Sequence, residues 1–246
     1  MTERFYIDSA ESQYDGNRVQ LGGDEAHHFL RVMRGKVGDN VVLFDGSGFY
    51  YQGNVTVVGK NDVQIQIATT VADAVESPIR LTIASALPKG DRQRFLVEKI
   101  AELGVARFVP LHLERSVARA NESAVGRLRR CVIETAKQCE RNVLMEVTDE
   151  MTLPQFDELL RQEAFETKFI LHPVKLGGIG QTVIRTVIDG GIPPHLAVLV
   201  GPEGSFTNRE IETALRFGFK PLDLGARILR TETACIAAAA VLLVLE

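Results

Sequence analysis

Two glycine-marked turns hold the residues best placed to do chemistry. Val198-Leu199-Val200 reads as a buried strand running into Gly201-Pro202-Glu203-Gly204. Leu222-Asp223-Leu224 ends a second extended run, and residues 225–230, opening with Gly225, connect it to Thr231-Glu232-Thr233, where a helix starts. A glycine connector ahead of a helix presents backbone N–H groups to a ligand. Taken singly, each turn reads as a strand, a turn and a buried helix. As a pair, in the C-terminal part of one chain, they point to a cofactor cleft at strand C-termini.

Cations stand near these turns. Lys89, Arg92 and Arg94 cluster at the start of one helix, and Glu114-Arg115-Ser116 follows the next strand. One reading is a pair of salt-bridged surface loops. The other places Lys89, Arg92 and Arg115 on the sheet edge of the glycine turns, where a phosphate-bearing substrate could approach the cofactor. A second set lies near the N-terminus. Ala26, Phe29, Leu30 and Met33 have helical spacing, and the opposite side carries His27, Arg31 and Arg34, with His28 beside it. That side is either a solvated face or a phosphate-contacting surface, since it offers four nitrogen donors and no acid.

Several chemistries lack their motif. No G-x-G-x-x-G follows a strand, so an ordinary dinucleotide site is not expected. There is no G-x-x-x-x-G-K-[ST] and no G-x-S-x-G elbow. The histidines and cysteines lack zinc spacing, so no metal is expected. Gly177-Gly178-Ile179-Gly180 alone is a weak signal, and His172, after a strand, is either structural or turned toward a cleft.

The elements that must position these residues divide in two. Residues 4–7, 19–21, 41–44, 49–58 and 63–69 read as short strands, with one helix over 25–34 capped by Asp24. Strands this short with one helix suit a small β-barrel or sandwich. The polar stretch 71–78, closed by Pro78, marks a boundary, with residues 1–72 before it and 73–246 after. Beyond it, strands over 79–87, 105–113, 168–171 and 196–200 alternate with helices over 91–103, 123–141 and 153–164, and with further helices ending near 188 and 217. Thr207-Asn208-Arg209-Glu210 is a capping box for the last of these. Such alternation means an α/β domain with a mainly parallel sheet.

The last helix, capped by Thr231, is apolar from Ala234 to Leu245. A helix apolar on all sides must be covered on all sides, so a homodimer is expected. Its length falls short of the ~20 residues of a membrane span. Three cysteines, an odd number without a C-x-x-C pair, read as reduced thiols, and Met1-Thr2-Glu3-Arg4 begins no signal peptide. A cytoplasmic protein is expected. The net charge of −4 means that any nucleic acid must be held by local basic patches.

One family carries these segments together. His27-His28-Phe29-Leu30-Arg31-Val32-Met33-Arg34, Glu98-Lys99, Glu102-Leu103-Gly104, Glu114-Arg115-Ser116, Gln138-Cys139-Glu140-Arg141 and Leu171-His172-Pro173 come first. Gly201-Pro202-Glu203-Gly204 and the run from Leu224 through Gly225, Ile228, Leu229 and Arg230 to Ala234 complete the set. The chain resembles the small-subunit ribosomal RNA uridine-N3 methyltransferases of the RsmE type, in the SPOUT superfamily. Met33 stands where leucine is common, and Ser205 where many relatives have glycine.

The resemblance implies an N-terminal PUA-like barrel for RNA, a C-terminal α/β domain tied in a trefoil knot, and a homodimer. It implies S-adenosyl-L-methionine bound in a bent form by three loops: Leu171, His172 and Pro173; Val200, Gly201, Pro202, Glu203 and Gly204; and Leu224, Gly225, Ile228, Leu229, Arg230, Thr231 and Thr233. For the chemistry, Glu203 and Glu232 are the base candidates, and Arg230 or Arg92 the anion stabilisers. Glu232 has the alternative role of favouring its helix N-terminus. RNA contact is expected from His27, His28, Arg31, Arg34, Lys89, Arg92, Arg115, Gln138 and Arg141. A non-catalytic RNA-binding assembly factor and a ribose 2′-O-methyltransferase are the alternatives.

Overall fold

A computed structural model describes residues 3–8, 12–72, 76–163, 165, 167–172, 182–183, 193–225 and 227–244. Pro173, the glycine-rich loop at 177–180, Ala226 and the last two residues lie outside these. The chain forms two compact units, Met1–Glu76 with Ala136–Leu144, and Ser77–Thr135 with Met145–Glu246.

The first unit is a curled six-stranded sheet. Its strands are β1 (Arg4–Tyr6), β2 (Gln13–Tyr14), β3 (Arg18–Leu21), β4 (Asn40–Phe44), β5 (Phe49–Val58) and β6 (Val63–Ala72), in the order β1-β4-β5-β6-β3-β2. Alternation puts Val63 and Ile65 inside, with Phe5, Leu21, Phe29 and Leu43. The long β5–β6 pair bends at two register shifts. At one of them Gly53 lets Ile65 approach, where a Cβ would meet its Cγ2 at 2.6 Å. The expected helix over 25–34 is α1 (Gly23–His27) followed by a π turn (His28–Met33), and Asp24 lies inside it instead of capping it. The turn closes with Arg34 in the left-handed region, φ 57°.

The sequence boundary at 72/73 does not anticipate the return of residues 136–144. These belong to the last turn of α3 (Glu122–Cys139) and to the segment after it. Lys137 pairs with Glu25 at 2.9 Å, and Val143 bridges Ser47. Arg141 is buried at 5% exposure, and its Nη2 reaches Glu76 Oε2 at 2.6 Å and its Nε Oε1 at 2.9 Å. A buried pair of this kind is costly to break from one side.

The second unit is a parallel sheet. Its strands are β7 (Arg80–Ser85), β8 (Arg107–His112), β9 (Glu146–Val147), β10 (Met151–Thr152), β11 (Thr167–Leu171), β12 (Thr182–Val183), β13 (His195–Val200) and β14 (Lys220–Asp223). The order is β10-β8-β7-β13-β11-β14-β12, with β9 beside β8. A parallel sheet is covered on both faces, and Leu81, Ile83, Val198 and Leu199 are buried accordingly. Among the described residues its helices are α2 (Arg92–Glu102), most of α3, α4 (Leu153–Gln162), α5 (Asn208–Arg216) and α6 (Thr231–Val244). Thr207 and Glu210 form the expected capping box of α5. A helix was expected after the glycine-rich loop, to about 188; of that stretch only Thr182 and Val183 are among the described residues, and they pair in parallel with Leu222 and Asp223. No helix among the described residues is long and apolar enough to cross a membrane.

α6 packs on α2, β7 and β13. Ala234, Cys235, Ala238, Ala239, Leu242 and Leu243 are buried, while Ile236, Ala237, Ala240 and Val241 are only half covered. Burial pushes the Cys235 thiol up to about 12.

Candidate active site

Three neighbouring strands, β13, β11 and β14, end side by side, and a cleft opens over their C-terminal ends. Parallel strands deliver all their C-termini to one edge, which is where α/β sheets hold ligands. β11 supplies Leu171 and then His172. β13 supplies Val200, Gly201, Pro202 and Glu203. β14 and its connector supply Leu224, Gly225, Ile228 and Leu229, and α6 supplies Thr231. Eleven of the expected cofactor residues thus line one cavity. Gly204, Arg230 and Thr233 are off its lining and exposed.

The sequence missed Ser205, Phe206, Leu222, Asp223 and Ala234 on the lining. Phe206 explains Gly201, since a Cβ there would stand 2.9 Å from the Phe206 ring. Room for that ring, not only room for a ligand, requires glycine at 201. Gly225 differs: its φ is +112°, and a Cβ would meet nothing within 4 Å. Conformation fixes this glycine. Asp223 accepts the Gly225 N–H at 2.9 Å, which sets the turn. Ser205 has φ 59°, a left-handed conformation that glycine enters more freely than serine.

The two glycine loops are tied to each other. Thr231 was expected to cap its helix. Instead it sits in the first turn, where the Ala234 N–H reaches the Arg230 carbonyl at 2.8 Å. Its hydroxyl donates to the Gly201 carbonyl at 3.0 Å. A third loop joins them: Arg115 Nη1 donates to the Gly204 carbonyl at 2.8 Å, and the Glu114 N–H donates to Glu210 at 2.8 Å.

The charged residues meet at the edge of the cleft. Arg92 opens α2, and its Nη2 lies 3.0 Å from Glu203 Oε1. Its Nη1 lies 3.4 Å from Glu232 Oε1, in the first turn of α6. Glu232 is buried at 5% exposure, and its Oε2 has no hydrogen-bond partner. One guanidinium therefore serves two carboxylates. Arg230, exposed, is outside this trio. His172 Nδ1 is also buried without a partner, and burial draws the imidazole below its ordinary 6.5. Among the described residues no cluster of three His, Cys, Asp or Glu could hold a metal.

The residues expected to contact RNA divide differently. Lys89 and Arg115 are exposed and Arg92 half-buried in the second unit. In the first, His27, Arg31, Arg34 and Gln138 are exposed, while His28 is half-buried against the Phe5 ring. Arg141 is a correction to the sequence reading: it is buried and spent on Glu76, so it offers no phosphate contact here.

Comparison with known proteins gives this geometry its context. Residues 75–243 match the model of an RNA methyltransferase domain, and residues 21–68 that of an RNA methyltransferase PUA domain. The chain is 32% identical to ribosomal RNA small subunit methyltransferase E of Synechocystis sp., over 88% of this chain and 69% of that protein. It is 29% identical to the protein of that name from Bacillus subtilis, over 94% and 92%. A putative methyltransferase of Legionella pneumophila, solved with the cofactor SAM, superposes with a TM-score of 0.85 at 32% identity, covering 98% of this chain and 97% of that one. Ribosomal RNA small subunit methyltransferase E of Neisseria gonorrhoeae, bound to S-adenosyl methionine, gives 0.80 at 31% identity over 98% and 96%. On the match across 75–243 and on these relatives, the chain belongs to the RNA methyltransferase family, among proteins of the ribosomal RNA small subunit methyltransferase E type.

Proposed function

We propose that this chain uses S-adenosylmethionine to methylate N3 of a uridine in small-subunit ribosomal RNA. Family membership supports the enzyme class, the RNA and the cofactor. The observation that carries the reading furthest is the single cleft formed by three strand ends, with an arginine and two carboxylates at its edge.

The residues present fit the cofactor. Leu224, Leu229 and Ile228, the last 90% exposed, offer an apolar wall for a purine ring. The connector before α6 offers backbone N–H groups, and Glu203 and Asp223 suit a sulfonium cation. When bound, the cofactor supplies an electrophilic methyl group. The chain's share is to hold the base in line with it, a positioning effect that can supply much of the rate, and to deal with the N3 proton.

The same reading includes a trefoil knot, a homodimer, a cytoplasmic location and action without a metal. RNA would be held by His27, Arg31 and Arg34 in the first unit and by Lys89 and Arg115 in the second. Incubating small-subunit RNA with the protein and a methyl-labelled donor, then digesting to nucleosides for mass spectrometry, tests the reaction. N3-methyluridine is the expected product. A ribose-methylated nucleoside, or no transfer with the cofactor bound, would overturn the reading.

A further inference from the structure

The trio at the cleft's edge has one feature that a structural ion pair does not need. Glu232 follows Thr231, which lines the cleft, and its own side chain is buried just off that lining. Its Oε1 has only the 3.4 Å contact to Arg92, at the weak end of hydrogen bonding. Its Oε2 has nothing. A buried carboxylate oxygen left unmatched is costly, and such groups mark places where a ligand completes the set. Arg92 is the movable member, with its side chain 37% exposed, and its shorter contact goes to Glu203 on the cofactor side.

We propose that Glu232 and Arg92 read the Watson–Crick edge of the target base, with Glu232 Oε2 receiving the N3 proton. This rests on the reading above that N3 of uridine is the atom methylated. Uracil presents acceptor, donor, acceptor along that edge: O2, N3–H and O4. A carboxylate beside a guanidinium is complementary to two neighbouring positions, the N3–H and O4. Arg92 exchanges its weak contact to Glu232 for the carbonyl and keeps Glu203. Cytosine reverses the pattern, turning a bare N3 lone pair toward the carboxylate and an amino group toward the guanidinium. The pair therefore rejects cytosine as well as accepting uracil.

The reaction balances with these residues. The proton leaves N3 for Glu232 Oε2. The pair left on N3 forms the bond to the methyl carbon, and the carbon–sulfur pair stays with sulfur. The sulfonium and carboxylate charges vanish together, and the carboxylic acid returns its proton to water. Negative charge developing on the carbonyl oxygen is met by Arg92. Among the described residues, the charged and titratable groups shown against Glu232 are Arg92 from α2, which also holds Glu203, and the Cys235 thiol from α6 itself.

The test uses the full chain and an RNA segment carrying the mapped uridine, beside the same segment with cytidine. Glu232→Gln keeps cofactor affinity near wild type by calorimetry and slows single-turnover methylation by about 10²–10⁴-fold. That deficit narrows as the pH rises, and narrows again when 5-fluorouridine, with its more acidic N3–H, replaces the target. A carboxylate that only supported the fold would lose the same factor under all conditions. Glu232→Asp, which keeps the carboxylate if the amide variant folds poorly, retains the wild-type pH dependence at a lower rate. Arg92→Ala reduces the preference for uridine over cytidine in binding by about 10–100-fold. A wild-type rate in Glu232→Gln, a deficit indifferent to N3 acidity, or an intact preference in Arg92→Ala overturns the assignment. If the wild-type product is not N3-methyluridine, the reaction reading fails first, independently of any variant.

Discussion

Single residues in the cleft were legible where their constraint is local and hidden where it is not. Gly225 could be read as a turn glycine, and its φ of +112° is a local demand. Gly201 could be read as a glycine but not for its actual reason, because Phe206 reaches it only once the turn has folded. His172, which the sequence reads as either structural or turned toward a cleft, lines the cleft with Nδ1 buried and unpartnered. Its lowered pKa makes a prediction. The unfolded chain takes up a proton near the ordinary 6.5, before the folded protein does. Stability then rises with pH between the folded value and 6.5, and is lost as the pH falls below 6.5. Above it both states are neutral and the residue contributes no slope. Melting temperatures of wild type and His172→Asn, measured between about pH 8 and pH 5, should run parallel at the alkaline end and diverge below, with the wild type falling faster. Parallel curves throughout would mean the imidazole is not desolvated in solution.

At the scale of elements, strong local signals carried through. The capping box at Thr207 and Glu210, the alternation in β6 and the helix now seen as Glu122–Cys139 were readable from the chain itself. The pairing of Thr182 and Val183 and the return of 136–144 were not, because each depends on partners distant in sequence; the π turn was not, because its local bonding differs from an α-helix by a single residue. Arg141 shows the limit clearly. A basic residue on a basic helix reads as an RNA contact until Glu76, 65 positions earlier, is found against it. The two kinds of arginine should separate on substitution. Arg31→Ala with Arg34→Ala, both exposed, should weaken RNA binding and reduce the slope of log affinity against log salt by about one unit for each phosphate no longer neutralised, with little change in melting temperature. Arg141→Ala should do the reverse, costing about 3 kcal/mol of stability by stranding Glu76 while leaving the salt slope alone. Because Glu76 is partly exposed, that figure is an upper value. An unchanged slope in the double variant would reduce the His27–Arg34 side to a solvated face.

At the scale of the whole molecule, the last helix is where a second copy of the chain would add cover. Its composition required cover on every side, and the fold provides it on one. Leu242, Leu243, Ala238 and Ala239 face α2 and the sheet. Ile236, Ala237, Ala240 and Val241, at spacings of one helical turn, form the half-covered side. Full burial of an aliphatic side chain is worth roughly 1.5–3 kcal/mol, so leaving Ile236 and Val241 half wet forgoes part of two such contributions. The two alanines would let another helix approach closely. Ile228, 90% exposed on the connector that leads into this helix, extends the apolar surface toward the cleft. A second copy of the chain on this stripe would cover both and tie assembly to the cofactor loops. Leu242 and Leu243 are the wrong residues to test, because changing them disrupts the core of the unit. Ala240→Glu with Val241→Glu acts on the outward side and should leave the fold, followed by circular dichroism, intact. Sedimentation across a concentration series should show a wild-type dimer at micromolar concentration and a monomeric double variant with weakened S-adenosylmethionine binding. A wild-type monomer that still binds the cofactor would refute both the dimer and its link to the site.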